Sequence, residues 1–335
     1  VAPARPGFGQ LHRDLIALGG AGMTVVELDR PITDAQPGAL QVGVSRGGSP
    51  PSQGLERFDI LLTAAPAAPR PWVSVGDVDD VLARLEDRLA RQPVAAATAA
   101  QVLRMTLQLG FEAALTLESL AYSVLLASEG FRSWRAATPG RQRPPDAGPR
   151  VAVEADDREI RLRLTRPARR NAFDARMRDE LAEALAFAAA HPDALPVILT
   201  GEGPSFSAGG DLDEFGAAPD VGWAHLVRDL RSPARAAYGL GGRLTVQVHG
   251  ACVGAGIEVS AAAARLTARP GASFRLPEVS MGLIPGAGGT ASIPRRIGRH
   301  RAAFMAILGE DVDLDTALAW GLVDTVEAAP AERAR

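Results

Sequence analysis

Apolar and polar residues alternate over Val151–Val153 and Ile160–Leu164, the pattern of a hairpin of half-buried strands. Val197–Thr200 and Leu244–Val248 are short apolar runs that read as buried strands. Each empties into a glycine-rich segment, GEGPSFSAGGDLDEF after the first and HGACVGAGIEV after the second. Leu266–Ala268 and Ser273–Phe274 read as two further short strands. Arg176–Ala190 is an amphipathic helix, Trp223–Leu240 reads as one helix, and another lies near Ile297–Leu308. Strands alternating with helices predict an α/β fold with crossover connections.

The first half of the chain has a different pattern. Asp77 opens a run in which Val78, Val81, Leu82, Leu85 and Leu89 share one helical face. Ala100–Leu109 continues in the same way. Phe111–Trp134, with Leu115, Leu120, Tyr122 and Leu125, reads as a mostly apolar helix that must be covered. Periodicity alone favours a plain helical bundle here. Two turn-rich stretches interrupt the chain: Val42–Gln53, with Gly47-Gly48-Ser49-Pro50-Pro51, and the proline-rich Thr138–Arg150. The predicted division is a degenerate segment over 1–76, a helical domain over 77–137, a linker over 138–150 and a core over 151–335. A weak internal echo pairs Val26–Pro31 with Leu162–Pro167 and Ile60–Ala64 with Val197–Gly201.

Composition narrows the chemistry. All 36 Lys+Arg residues are arginine. Schiff-base chemistry on lysine and a lysine-bearing phosphate loop are therefore excluded, since arginine stays protonated. One cysteine, Cys252, rules out an intrachain disulfide, and the five scattered histidines show no metal-binding spacing, so no metal is expected. A net charge of -3 and 5% aromatics argue against nucleic acid as a partner. No apolar run reaches the roughly 18 residues of a membrane span, and the expected location is the reducing cytoplasm.

The two glycine-rich strand exits are the candidate chemistry. In Val253–Glu258 small residues let a ligand approach the backbone, and the first amides of a following helix lack partners. Ser207–Asp211 offers a second amide source; converging, the two would form an oxyanion hole. Glu258 and Glu278 are two carboxylates in apolar company, where burial raises a pKa. Beside an oxyanion hole they are candidates for general base and general acid. His249 and Cys252 read as packing residues, while Phe131 and Trp134 could cover the pocket.

Four motifs occur together in order: RPARRNAF (166–173), FSAGGDL (206–212), GACVGAGIE (250–258) and LPEVSMGLIPGAGGT (276–290). Over Val151–Val326 the chain resembles the crotonase superfamily, the enoyl-CoA hydratases and isomerases. The resemblance implies a ClpP/crotonase-like β-β-α spiral, an acyl-CoA thioester substrate, and no cofactor beyond the coenzyme A that the substrate carries. It implies an oxyanion hole from the N–H groups of Gly210 and Ala255, with Glu258 and Glu278 as the catalytic pair. Arg170, Ala172, Phe173, Ala208, Asp211, Leu212 and Pro277 fall where the family contacts coenzyme A or substrate. Any phosphate contact would fall to arginine. A homotrimer or homohexamer is the expected assembly.

The layout departs from the family. Its helical tail normally follows the segment resembling GLVDTV (321–326), whereas here Asp77–Ala137 resembles that tail and precedes the core, as in a circular permutant. The leading reading is a hydro-lyase acting on 2-enoyl-CoA. An isomerase of the same fold, or a non-catalytic acyl-CoA-binding or interaction protein, are the alternatives.

Overall fold

The computed structural model describes residues 22–29, 39–47, 49–141, 143 and 146–327. Residues 1–21, 30–38 and 48 of the predicted degenerate segment, Arg30 and Pro31 of the echo among them, three positions of the 138–150 stretch, and 328–335 lie outside the described residues. The first elements among the described residues are four parallel strands, β1 (Met23–Glu27), β2 (Leu40–Ser45), β3 (Ile60–Thr63) and β4 (Val73–Ser74), paired in that order. The expected break at Val42 thus begins too early. Val42, Val44 and Ser45 are buried strand residues, and turn chemistry starts only at Arg46. Because side chains alternate across a strand, this sheet is buried on both faces. Ile60 and Leu62 join the main core, while Leu61 packs with Val26, Leu55, Phe58 and Trp72.

Four helices follow, over Val78–Arg91, Pro93–Thr106, Phe111–Leu126 and Glu129–Ala137. Asp77 caps the first, accepting from the N–H groups of Asp79 and Asp80. The third and fourth had read as one helix. They bend by 65° because the Ser128 hydroxyl accepts from Phe131 N–H and starts a new helix. Among the described residues no single helix is long and apolar enough to cross a membrane.

The six-stranded main sheet is built from β5 (Val151–Ala155), β6 (Ile160–Leu164), β7 (Val197–Gly201), β8 (Leu244–Val248), β10 (Arg265–Ala268) and β13 (Thr325–Val326), in the order β13-β10-β8-β7-β6-β5. The expected hairpin β5–β6 is antiparallel, with Val151 opposite Leu164; all other pairs are parallel. A smaller sheet joins β12 (Val312–Asp313), β11 (Ser273–Arg275) and β9 (Ala251–Val253). The echo does not extend to pairing: β6 lies beside β7, but β2 separates β1 from β3.

One more predicted helix divides, and another gains a neighbour. Trp223–Leu240 becomes Val221–Leu230 and Pro233–Gly239, since Pro233 lacks an N–H and Ser232 caps afresh. The helix near Ile297–Leu308 is preceded by another, Gly289–Ile297, and Gly298 separates it from Arg299–Leu308. One hydrophobic cluster runs from Leu40 to Val323 and includes Leu85, Ala99, Leu115 and Leu125 of the early helices. Those helices therefore share a core with the main sheet. The Thr106 hydroxyl donates to Thr290 C=O across the junction at 2.7 Å.

Candidate active site

The motif 166–173 is tied to the first glycine-rich exit by Asn171, which is fully buried. Its side-chain amide donates to the carbonyls of Glu202, Ser205 and Phe206 at 2.8, 3.2 and 3.0 Å. Its Oδ1 accepts from Arg166 N–H. Sequence reasoning quoted the motif without singling out this residue. Arg166 in turn donates to Asp211 (2.7 Å) and to Asp146 (2.6 Å), which anchors part of the linker stretch on the core.

The two glycine-rich exits meet. Ser207 pairs in parallel with Cys252, Ser207 N–H donates to Ala251 C=O, and Val253 N–H donates to Ser207 C=O. This brings Gly210 and Ala255 to one cavity, and among the described residues neither amide has an acceptor. Gly254, just before Ala255, has φ 47 and ψ -123. Only glycine adopts that conformation readily, and a Cβ there would lie 2.5 Å from Glu278 Oε1. The close approach seats the Glu278 carboxyl against the backbone of the second exit.

Glu258 and Glu278 are both buried, at 2% and 7% exposure. Glu258 Oε2 accepts from the N–H groups of Ala287 (2.7 Å) and Gly289 (2.9 Å). Burial pushes its carboxyl up to about 7, against the pull of these donors. Glu278 lies in the short 3-10 turn Glu278–Met281, and its buried Oε2 has no hydrogen-bond partner. Burial, and next the charge of Glu258, hold it well above the ordinary carboxylate range.

A third carboxylate, missed in the sequence, belongs to this group. Glu118 projects from the helix Phe111–Leu126 and is 2% exposed. Its Oε1 accepts from Gly288 N–H, and its Oε2 accepts from Thr290 N–H and the Thr290 hydroxyl, each at 2.7 Å. Burial first and the Glu258 charge second raise it to about 8. The available signal was a lone acidic residue on an otherwise apolar helix face.

A cavity of about 600 Å³ joins these parts. Gly210, Ala255, Glu258, Glu278, Phe173 and Asp211 line it from the core, and Glu118, Tyr122 and Phe131 from the early helices of the same chain. Phe131 stacks on Trp134, which packs against Phe215. Asp211 borders the cavity with its carboxylate already engaged by Arg166. Arg170, Ala208 and Leu212 are exposed, Ala172 and Pro277 are half-buried, and these five lie outside the cavity lining. His249 Nε2–H donates to Gly203 C=O at 2.8 Å, and Cys252 is fully buried. Among the described residues no group of three His, Cys, Asp or Glu is placed to hold a metal ion.

The chain is similar in sequence and fold to known proteins. The model of the enoyl-CoA hydratase/isomerase family matches residues 158–332. The mevalonyl-coenzyme A hydratase of Beauveria bassiana is 34% identical over 171 residues, 49% of this chain and 61% of that protein, less than two thirds of its length. The 2,3-dehydroadipyl-CoA hydratase of Escherichia coli is 34% identical over 177 residues, 52% of this chain and 68% of that protein. The 1,2-epoxyphenylacetyl-CoA isomerase of the same species is 34% identical over 167 residues, covering 48% and 63%. The crystal structure of an enoyl-CoA hydratase from Mycobacterium smegmatis superposes with a TM-score of 0.50 at 30% identity, covering 54% of this chain and 71% of that one. With its four motifs meeting at one cavity and more than half its length matched, this chain belongs to the enoyl-CoA hydratase/isomerase family.

Proposed function

We propose that the protein adds water to a trans-2-enoyl-CoA thioester, or removes it in reverse. The thioester oxygen accepts from Gly210 N–H and Ala255 N–H, which polarises the conjugated C2=C3 bond and stabilises the enolate that forms. Glu258 takes a proton from water as the water oxygen bonds to C3. Glu278 delivers its proton to C2 as the enolate collapses. Glu258 ends protonated and Glu278 ionised, and one proton returned through solvent resets the pair.

The observation that carries this reading is the contrast between the two glutamates. Glu258 has two amide donors on one oxygen, which favours the ionised form needed in a base. Glu278 has its Oε1 close to Gly254 and a buried Oε2 with no partner, which favours the protonated form needed in an acid. The chemistry uses backbone amides and carboxylates and calls on no cofactor beyond the coenzyme A of the substrate. Glu258→Gln and Glu278→Gln should each lower kcat on a 2-enoyl-CoA by about 10²–10⁴-fold. Undiminished rates in both variants would overturn the reading.

The family, described as enoyl-CoA hydratase/isomerase, supports a second reading, proton shuttling between C2 and C4 of a 3-enoyl-CoA by one carboxylate. Turnover in H₂¹⁸O separates the two, because only hydration places the label at C3. A homotrimer or homohexamer belongs to the same proposal. Trp223, Leu230 and Val124, at 69%, 77% and 67% exposure, supply apolar surface for such contacts, and light scattering measures the assembly.

A further inference from the structure

Three arginines border the cavity: Arg178, Arg228 and Arg231. Arg178 pairs with Asp179 and Arg231 with Glu183. Arg228 has no carboxylate partner among the described residues. Its Nη2 donates to Ser119 C=O (3.2 Å) and to the Ser123 hydroxyl, and its guanidinium lies 4.7 Å from the centre of the Tyr122 ring. Among the described residues none accepts from the buried Nε, and the bonds Arg228 makes there all use Nη2. The nearby Glu118 does not serve, since both its oxygens are taken by Gly288 and Thr290. A half-buried guanidinium held in place by a ring and a helix, with donors left over, is the arrangement that receives an anion.

Its place in the cavity identifies which part of a substrate it would meet. Arg228 stands on the helix Val221–Leu230, which packs against Phe111–Leu126. The charged and polar groups acting on it are Tyr122, Glu118 and Arg178, not the Glu258–Glu278 pair. Arg170, Ala208 and Leu212, which the family resemblance assigns to coenzyme A, are exposed and lie outside the cavity lining, whereas Arg228 lines the cavity itself. We propose that Arg228 seats a carboxylate at the far end of the acyl chain, so that the favoured substrates are CoA thioesters of dicarboxylic acids. This rests on the acyl-CoA reading above and names the substrate class within it.

Binding tests the seat without requiring turnover. Calorimetry would compare saturated ω-carboxyacyl-CoA thioesters with alkyl acyl-CoA thioesters of equal length, from about four to about ten carbons. At the length that reaches Arg228, the carboxylate should bind about tenfold tighter or better, about 1.4 kcal/mol. Arg228→Leu should abolish that preference. Arg228→Lys, which keeps the charge but not the planar fork, should retain part of it, and it serves as the readout if the leucine variant does not fold. Equal or weaker binding of the carboxylates at every length, or a preference unchanged in both variants, would overturn the proposal. Absence of hydration with the binding preference intact would instead overturn only the catalytic reading.

Discussion

Glu118 and Glu258 accept alternate amides of one short stretch of backbone. Glu258 takes the N–H groups of Ala287 and Gly289, and Glu118 takes those of Gly288 and Thr290. Two side chains 140 positions apart in the sequence thus hold the start of the helix Gly289–Ile297 from different parts of the chain. Gly289 itself is required by the approach, as a Cβ there would lie 2.6 Å from Glu258 Cγ.

The two carboxylates should respond differently to the same change. Glu258 uses one oxygen for both amides, so glutamine can keep the contacts while losing the base. Glu118 uses both oxygens, so glutamine must present an NH₂ to an N–H donor. Glu118→Gln should cost about 1–3 kcal/mol and Glu118→Ala more, since three buried donors are then orphaned. Urea unfolding measures this; equal stability of Glu118→Gln and wild type would contradict it.

Gly254→Ala should impair catalysis beyond its effect on folding. The backbone conformation costs a non-glycine residue about 1–3 kcal/mol, and the new methyl meets Glu278 Oε1. Both the Ala255 amide and the Glu278 carboxyl must shift. We expect kcat to fall at least about tenfold in protein that still folds by circular dichroism; an unchanged kcat would argue that neither group is used.

The pH dependence of kcat/KM should be bell-shaped. The rate rises as Glu258 ionises at about 7 and falls at higher pH as Glu278 gives up its proton. In Glu258→Gln the acidic limb should disappear. A flat profile through pH 6–8 in wild type, a range of about two units around that value, would reject Glu258 as the base.

Stability should fall as pH rises. Glu258 and Glu118 have folded pKa values raised to about 7 and about 8, so the folded state binds protons more tightly than the unfolded chain. Their contribution is fully present below the unfolded value of 4.5 and is lost as pH climbs through the folded values. Each unit of difference corresponds to about 1.4 kcal/mol. Thermal unfolding between pH 5 and pH 8 should show Tm decreasing, and Glu258→Gln should flatten the trend. A Tm that rises over this range in wild type would be the contrary result.

Local pattern and motif spacing determined much of this protein. The β5–β6 hairpin, the buried strands β7 and β8, the Asp77 cap and the two glycine-rich exits follow from side-chain periodicity and from glycine's lack of a Cβ, which act over a few residues. The breaks at Ser128 and Pro233 were also written locally, as a cap and a missing N–H, but the apolar pattern on either side of them conceals the bend. Tertiary structure alone decided that Gly210 and Ala255 meet at one cavity, that Glu118 joins Glu258 at the same backbone, and that among the described residues Arg228 is left without a carboxylate. These depend on burial and on partners 45 to 172 positions away, and the desolvation that raises a carboxylate or strands a guanidinium exists only once the chain has closed around it.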